Sequence, residues 1–324
     1  MELVGKLMGG LSAARRDPRE LVRSLMLSLG VPVLAFGLFL VLWSVTASQI
    51  QTSLGAVPGP SQVAAQAVAL VQDHFAEREK EAAFYARQEA RNKERLAEDP
   101  SYQPRHFNWT GKRTYLDQIL TSLKTVFVGF LLATLVAVPL GILAGSSRIV
   151  QAAINPMVQL FRPVSPLAWL PIVTLIVSAV YVTKGQPMFE KSFLISAITV
   201  TLCSLWTTLI NTAIGVTSVD KDLVNVARVL QLPLGTRVRK IMLPSALPFI
   251  FTGMRLSLGV GWMVLIAAEM LAQNPGLGKF VWDEFQNGSS DSLSRILVAV
   301  FTIGLIGFGL DRLMQVLQNL AARR

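Results

Sequence analysis

Long runs of apolar residues with few or no charges recur along the chain. The first extends from Leu25 to Thr46. A membrane-spanning helix needs about 20 predominantly apolar residues, and this run is longer than the ~7–15 apolar residues of a signal peptide, so we predict a retained spanning helix at residues 25–47. Five further runs follow, at residues 125–147, 163–183, 192–219, 247–272 and 296–314. The pattern predicts an all-α membrane protein with six transmembrane helices.

The composition agrees with a membrane protein and excludes most soluble classes. Of the 324 residues, 52% are hydrophobic and 15% are charged, whereas soluble proteins carry roughly 25% charged residues. Lys and Arg exceed Asp and Glu by 30 to 20. We assign this excess to a membrane surface and not to nucleic acid, because basic residues collect on the cytoplasmic side of spanning segments. With six spans, the tail 1–24, the segment 219–245 and the basic C-terminus 317–324 share one side, so both termini are predicted to be cytoplasmic.

The segment 48–113 is the one stretch with a soluble character. Ser61 is a plausible N-cap, and Gln62 to Glu98 is rich in strong helix formers and in charges of both signs. The basic and acidic residues are nearly balanced, which is typical of a solvated helix. We therefore expect an extracytoplasmic helical insertion at this position. Docking of a partner protein on this helix is the alternative interpretation.

Motifs for catalysis or metal binding are missing from the sequence. No phosphate-binding G-x-x-x-x-G-K-[ST] loop, HExxH motif or G-x-S-x-G elbow is present. Cys203 is the single cysteine, and His74 and His106 are the two histidines. The chain is therefore expected to hold no metal, no cofactor and no catalytic residue of its own. Any ATP, with its Mg²⁺, would have to be bound and hydrolysed by partner subunits.

The segment between the fourth and fifth runs has the pattern of a short amphipathic helix. Val219, Leu223, Val226 and Leu230 recur at helical spacing, and Pro233 and Gly235 are expected to end the helix. One apolar face on a cytoplasmic helix suits a groove on another protein. An interfacial helix resting on lipid headgroups is equally compatible with the composition.

This segment resembles a motif of a known family. The residues Ala227-Arg228-x-Leu230 and Ile241-x-Leu243-Pro244 are similar to the "EAA" loop of permease subunits from binding-protein-dependent ABC importers. Two positions differ, since Asn225 stands where the family usually has Glu and Gln231 where it usually has Gly. Stretches at residues 57–63, 160–172, 209–216 and 249–255 resemble the nitrate/bicarbonate/cyanate branch, which is similar to sulfonate and taurine permeases. The likeness covers roughly residues 24–70 and 114–316.

The resemblance implies a fold, a function and partners. The fold would be that of a type I ABC importer permease, with a five-helix core at 114–316, in a bacterial inner membrane. The function would be ATP-driven import of a small inorganic anion, for which we expect nitrate, with nitrite, cyanate or bicarbonate as further candidates and a sulfonate or taurine as the alternative. Expected partners are cytoplasmic ABC ATPase subunits, a second and identical permease copy, a periplasmic substrate-binding protein and the lipid bilayer.

The resemblance also implies that a coupling helix contacts the ATPase, with Ala227 packed closely against it and Arg228 at the rim. The expected coupling residues are Val224, Asn225, Ala227, Arg228, Leu230, Gln231, Gly235 and Pro244.

A path for a small anion favours cationic, hydroxyl and amide side chains. The candidates on the spans are Arg162, Ser165, Thr207, Thr208, Asn211, Arg255 and Glu269. Each has a structural alternative. Arg162 would be an interfacial anchor, the hydroxyls would mediate helix packing, Arg255 would reach the interface, and Glu269 would bond to a neighbouring helix.

Two other functional classes fit the sequence less well. An ion-coupled carrier acting alone often has acidic pairs deep in the membrane, and the spans lack such pairs. A membrane enzyme would need a cluster of His, Cys or carboxylate groups, which is also missing.

Overall fold

Helices form nearly all of the computed structural model, which describes residues 23, 26–47, 49–52, 55–182 and 189–322. Two short strands, β1 (Gln51–Thr52) and β2 (Gly55–Ala56), pair antiparallel. The first helix, α1 (Val31–Ala47), follows a π-helical turn at Met26–Gly30. The helices that follow are α2 (Pro60–Glu98), α3 (Tyr115–Ser146), α4 (Arg148–Phe161), α5 (Pro166–Val180), α6 (Lys191–Thr217), α7 (Lys221–Val229), α8 (Leu234–Arg237), α9 (Leu243–Ala272), α10 (Leu277–Asn287) and α11 (Ser292–Ala322).

Five helical stretches in the described part of the chain are long and apolar enough to cross a bilayer. They are Met26–Ala47, Tyr115–Ser146, Lys191–Thr217, Gly235–Ala272 and Ser292–Ala321. The pair α4 and α5, bent by 103° at the break between them, gives a sixth span when it is counted as one. The prediction of six spans is thereby confirmed, but the third differs from the uninterrupted run expected at 163–183, and residues 183–188 lie outside the described residues.

The bend between α4 and α5 has a local cause. Pro163 lies just past the end of α4, and it has no N–H with which to continue the helical hydrogen bonds beyond Arg162. Ser165 then restarts the helix as N-cap, because its Oγ accepts the N–H of Leu167 at 3.3 Å, and Pro166 occupies the first turn, where its missing N–H is not needed.

The contacts within the chain define two compact units. One contains the described residues up to Ala67 together with Asn287–Val298, and the other contains Val68–Gln286 and Ala299 onward. In the first unit, Arg295 donates from Nε to Gln66 Oε1 at 3.5 Å. The second unit contains the spans α3, α5, α6 and α9, most of α2 and the greater part of α11.

In the second unit, α6 lies between α3 and α9 at backbone distance. A Cβ atom at Gly141 of α3 would lie 2.6 Å from Thr212 Cβ and 2.8 Å from the Leu209 carbonyl oxygen. On the other side of α6, a Cβ atom at Gly253 of α9 would lie 2.7 Å from Asn211 Cβ. Only glycine fits at such separations. Small residues at these contacts are what membrane helices need, since lipid supplies no hydrophobic drive for their association.

Hydroxyl groups add hydrogen bonds between the same three helices. Ser257 Oγ on α9 donates to the Ser204 carbonyl of α6 at 2.8 Å, and Thr201 Oγ1 on α6 donates to the Gly129 carbonyl of α3 at 3.1 Å. Helix α5 joins this core through an apolar cluster. The members of the cluster are Leu170, Val173 and Val177 of α5, Ile195 of α6 and Ala268 of α9.

The helix predicted at residues 62–98 is confirmed as α2, and a return segment at residues 99–114 runs back along it. Gln88 Oε1 accepts the N–H of Phe107 at 2.7 Å, and Asn92 Nδ2 donates to the Arg105 carbonyl at 3.0 Å. Further along, Tyr85 Oη accepts the N–H of Trp109 at 3.1 Å. The insertion is therefore a hairpin of one long helix and one extended segment.

The glycine contacts predict that alanine lowers the stability of the protein at one glycine and not at another. Gly141→Ala should destabilise the protein by about 1–3 kcal/mol, because the added methyl group overpacks the α3–α6 contact. Gly259→Ala on α9 is the matched control, since a Cβ there meets no atom within 4 Å, and this variant should be as stable as the wild type or up to ~1 kcal/mol more stable. Thermal unfolding in detergent measures both. Equal midpoints for the two variants would contradict the packing analysis.

Candidate functional site

Helix α7 is short, and neighbouring residues cap it at both ends. Asp220 precedes it, and its Oδ1 accepts the N–H of Asp222 at 2.9 Å, which satisfies one of the free amides of the first turn. At the other end, Gln231 has a left-handed backbone with φ of 48°, and the Leu232 N–H donates to the Ala227 carbonyl at 3.0 Å. This is the hydrogen bond of a Schellman motif, whose left-handed position is usually glycine. Gln231, which stands where the similar family usually has Gly, is therefore the residue with the left-handed backbone at the end of the helix.

The apolar side chains of α7 are largely uncovered in this chain. The exposed fractions are 48% for Leu223, 54% for Val226, 82% for Val229 and 63% for Leu230. Val219, the first residue of the predicted stripe, is buried. Val226, Val229 and Leu230 form a contiguous apolar patch on a helix of nine residues. We call this patch the α7 face, and it is available to another molecule.

Ala227 corrects one expectation about this helix. Its side chain is fully buried within the chain, so it is not available to pack against a partner. Val224 is half-buried, Asn225 and Gln231 are exposed, and the side chain of Arg228 lies outside the described residues.

The second half of the segment 219–245 differs from the expected loop. Helix α7 ends at Val229, before Pro233, and the chain is helical again from Leu234. The short helix α8, a π-helical turn at Val238–Met242 and α9 follow without a break. The fifth span therefore begins well before the predicted residue 247, and the exposed Gly235 and Pro244 lie in its first turns.

Arg255 is held by a carboxylate of the last span. Its Nε and Nη2 donate to the two carboxylate oxygens of Asp311 at 2.6 Å and 2.8 Å. This bidentate geometry is the strong form of the Arg–carboxylate pair and joins α9 to α11. Nearby, Trp262 Nε1 of α9 donates to the Ile303 carbonyl of α11 at 3.0 Å. Arg255 is therefore part of a helix-to-helix connection and is not a free cation.

Glu269 lies in a buried network at the other end of α9. Ser122 Oγ of α3 lies 2.9 Å and 2.8 Å from its two carboxylate oxygens, and the Gly278 N–H donates to it at 3.0 Å. Asn274 Nδ2 is 3.4 Å from the same carboxylate, and the Leu277 N–H donates to Ser122 Oγ at 2.8 Å. Leu277 and Gly278 open α10, so the carboxylate sits at a helix N-terminus, where the exposed amides and the helix dipole favour negative charge.

Two glycines are required beside this network. A Cβ atom at Gly276 would collide with the Glu269 carboxylate, and one at Gly278 would collide with the Ile266 carbonyl. Glu269 therefore connects α3, α9 and α10, which is the structural role that the sequence left open beside a role in an anion path.

The remaining path candidates lie at helix contacts or at the corner between α4 and α5. Asn211 Nδ2 donates to the Thr207 carbonyl at 2.8 Å, and both residues border the contact with Gly253. Thr208 is fully buried there, and its hydroxyl has no partner among the described residues. Arg162 and Ser165 form the corner, and the neighbouring Phe161 stacks on Trp206 at 5.9 Å. The structure thus places the corner between α4 and α5 beside α6. The hydrogen bonds of the described residues do not join the path candidates of the corner to those of α6.

Sequence reasoning missed the partners of the two charged residues. Asp311, Ser122 and Asn274 belong to no recognisable motif. Asp311 and Ser122 are far along the chain from their partners, and Asn274 lies in a turn. A signal did exist for the first pair, because two opposite charges inside separate spans are expected to find each other. No comparable signal identifies Ser122 among the many hydroxyls of the spans.

The network around Glu269 makes a stability prediction. Glu269→Leu should destabilise the protein strongly, because each buried donor left without an acceptor costs about 1–3 kcal/mol and the carboxylate serves several donors. Glu269→Gln keeps an acceptor oxygen and should lose less. Thermal unfolding in detergent, with limited proteolysis of the turn at residues 273–276, measures both. A Leu variant as stable as the wild type would remove the proposed structural role.

Comparison with known proteins gives this arrangement a context. Residues 137–323 match the family model described as "Binding-protein-dependent transport system inner membrane component". The chain is 36% identical over 197 residues to the nitrate import permease protein NrtB of Synechococcus elongatus, covering 61% of this chain and 66% of that protein. It is 39% identical over 206 residues to the bicarbonate transport system permease protein CmpB of Synechocystis sp., covering 63% and 68%.

The chain spans about two thirds of the length of these curated relatives. Among solved structures, it is similar to an inward-facing conformation of the MetNI methionine ABC transporter, with a TM-score of 0.52 and 16% sequence identity, covering 62% of this chain and 94% of that one. The likeness at this identity concerns the fold. With more than half of its residues inside the matching model, the chain belongs to the family of inner-membrane components of binding-protein-dependent transport systems.

Proposed function

We propose that the chain is the permease subunit of an ATP-driven importer for a small inorganic oxoanion, namely nitrate. The observation that carries the coupling half of the proposal is the α7 face, an uncovered apolar patch on a rod closed at both ends. The relatives named for nitrate and bicarbonate import support the substrate half. Both anions are planar, carry three oxygens and a single negative charge, and so differ in shape from a sulfonate or taurine.

The partners follow from the chain's chemistry. ATP and Mg²⁺ would be bound by cytoplasmic ATPase subunits, whose groove would receive the α7 face as an amphipathic helix in a groove. A second copy of this chain would complete the path across the bilayer, and a periplasmic binding protein would deliver the anion. The α7 side and both termini would be cytoplasmic, and the insertion would face the periplasm.

The mechanism we infer is a rigid-body alternation. Closure of the ATPases on ATP would pull α7 with them, and α7 is linked along the chain to α6 on one side and, through α8, to α9 on the other. Movement would pass to the core as a unit, because α3, α6 and α9 contact each other at glycine separations and α11 follows through the Arg255–Asp311 pair. The core would then open to one side of the membrane at a time.

Val226→Asp tests the coupling contact. Burying an unpaired carboxylate in an apolar groove costs several kcal/mol, so association with the ATPase and anion-stimulated ATP hydrolysis should fall about tenfold or more. Asn225→Asp is the matched control, because it adds the same charge at an exposed polar position where the resembling family usually carries Glu. Co-purification and ATPase assays in nanodiscs measure both variants. Normal stimulation in Val226→Asp would refute the assignment of the α7 face.

Uptake into proteoliposomes tests the substrate. Liposomes that contain the permease, the ATPase and the binding protein should accumulate labelled nitrate only when ATP is present on the ATPase side, and taurine should not be accumulated. Preferential uptake of taurine would assign the chain to sulfonate import. Uptake that persists without the ATPase would instead identify an ion-coupled carrier acting alone.

A further inference from the structure

The hairpin insertion encloses a polar pocket that the transport core does not share. Its volume is about 210 Å³, and it lies between α2 and the return segment. Three arginines line it, Arg91, Arg95 and Arg105, together with Gln88, Asn92, Tyr102 and Phe107. The pocket holds several times the ~30 Å³ that a water molecule occupies in the liquid, so a small ion fits in it with part of its hydration shell.

The hairpin hydrogen bonds bring the three arginines together. Arg91 and Arg95 are four residues apart on α2 and so share one face of the helix. Arg105 comes from the return segment, which is fixed at this height by the bond from Asn92 to the Arg105 carbonyl and by that from the Phe107 N–H to Gln88. Gln88 is 5% exposed, so the bond on which the alignment depends is protected from water.

The positive charge of the pocket is not neutralised within the chain. In the described part of the insertion, the ion pairs are made by Arg78, Lys80 and Arg113, and none involves the three pocket arginines. Glu94 and Glu98 lie three residues after Arg91 and Arg95, within reach of helical ion pairs, yet neither pair forms. Arg95 instead lies over the ring of Tyr102 at 5.6 Å. Like charges four residues apart on a helix are mildly destabilising, and here a third is added from the facing segment.

The donors in the pocket match an oxoanion. A guanidinium group presents its N–H groups in a planar fork that binds two oxygens at once, and three of the residues that line the cavity are arginines. The Tyr102 ring restricts one of them through the cation–π contact. Phe107, which is 59% exposed, adds an apolar ring to one side of the pocket.

We propose that this pocket is a binding site for a small oxoanion on the insertion, separate from the path through the spans. The identity of the anion, nitrate or bicarbonate, rests on the proposed function, but the existence of the site does not. Because the proposed orientation puts the insertion on the periplasmic side, the site would concentrate the anion next to the delivery face of the importer.

Isothermal titration of nitrate and of bicarbonate into the purified full-length chain in phosphatidylcholine nanodiscs tests the site. Low ionic strength is used, because salt screens exposed charges over ~10 Å at 0.1 M. The double variant Arg91→Gln/Arg105→Gln should bind about tenfold or more weakly, since it loses two charge-assisted contacts. Arg105→Lys keeps the charge but loses the fork, and it should show an intermediate affinity.

Arg87→Gln is the matched control, because Arg87 carries the same charge on the same helix but does not line the pocket. The Arg87→Gln variant should bind nitrate and bicarbonate as the wild type does. Chloride should bind to neither of these two proteins. Equal affinities of the wild type and the double variant, or equal binding of chloride, would overturn the proposal.

Two further arms separate the alternatives. Unchanged nitrate binding in nanodiscs that contain phosphatidylglycerol supports a free anion as the occupant, whereas loss of binding there would assign the pocket to a lipid phosphate and overturn the proposal. No ATPase is present in the titration, so Val226→Asp should bind nitrate normally. Failure of the coupling proposal would therefore leave this result intact.

Discussion

Close approach of three helices is the constraint on which the rest of the structure depends. Lipid tails are as apolar as leucine, so burial from water cannot hold membrane helices together. The contacts of α6 with α3 and α9 are instead made by glycines facing backbone and short side chains, where many weak dispersion contacts add up. Such packing is bistable and does not deform continuously, so a displacement applied at one end of these helices is carried to the other.

The charges inside the spans belong to this same scaffold. Arg255 and Asp311 neutralise each other between α9 and α11, and Glu269 receives donors from α3 and from the start of α10. Each would be costly in a membrane without its partner. Because Arg255, Asp311 and Glu269 are committed to the fold, the proposed anion would have to be attracted by other polar groups, such as those at the corner of α4 and α5.

Most of the architecture could be predicted from the sequence, whereas few of the contacts at the candidate site could be. Spans and the insertion helix were predictable because apolar length and helix-forming residues are local properties. The segment 219–245 was singled out through residues such as Ala227 and Pro244, and its coupling role stays a prediction. The burial of Ala227 was not predictable, because an alanine fits either face of an amphipathic helix. The Ser122–Glu269 contact joins residues 147 positions apart, and no local pattern encodes such a pairing.

The length of α5 has a consequence for hydration. Its 15 residues extend about 22 Å at 1.5 Å per residue, less than the ~30 Å of hydrocarbon in a bilayer. In a span built on α5, the non-helical residues 162–165 beside it would therefore reach below the headgroup level. Since hydrocarbon offers no partner for free peptide groups, this notch must be wetted or covered by protein, and a solvated indentation in the membrane is where an ion can shed its water in steps.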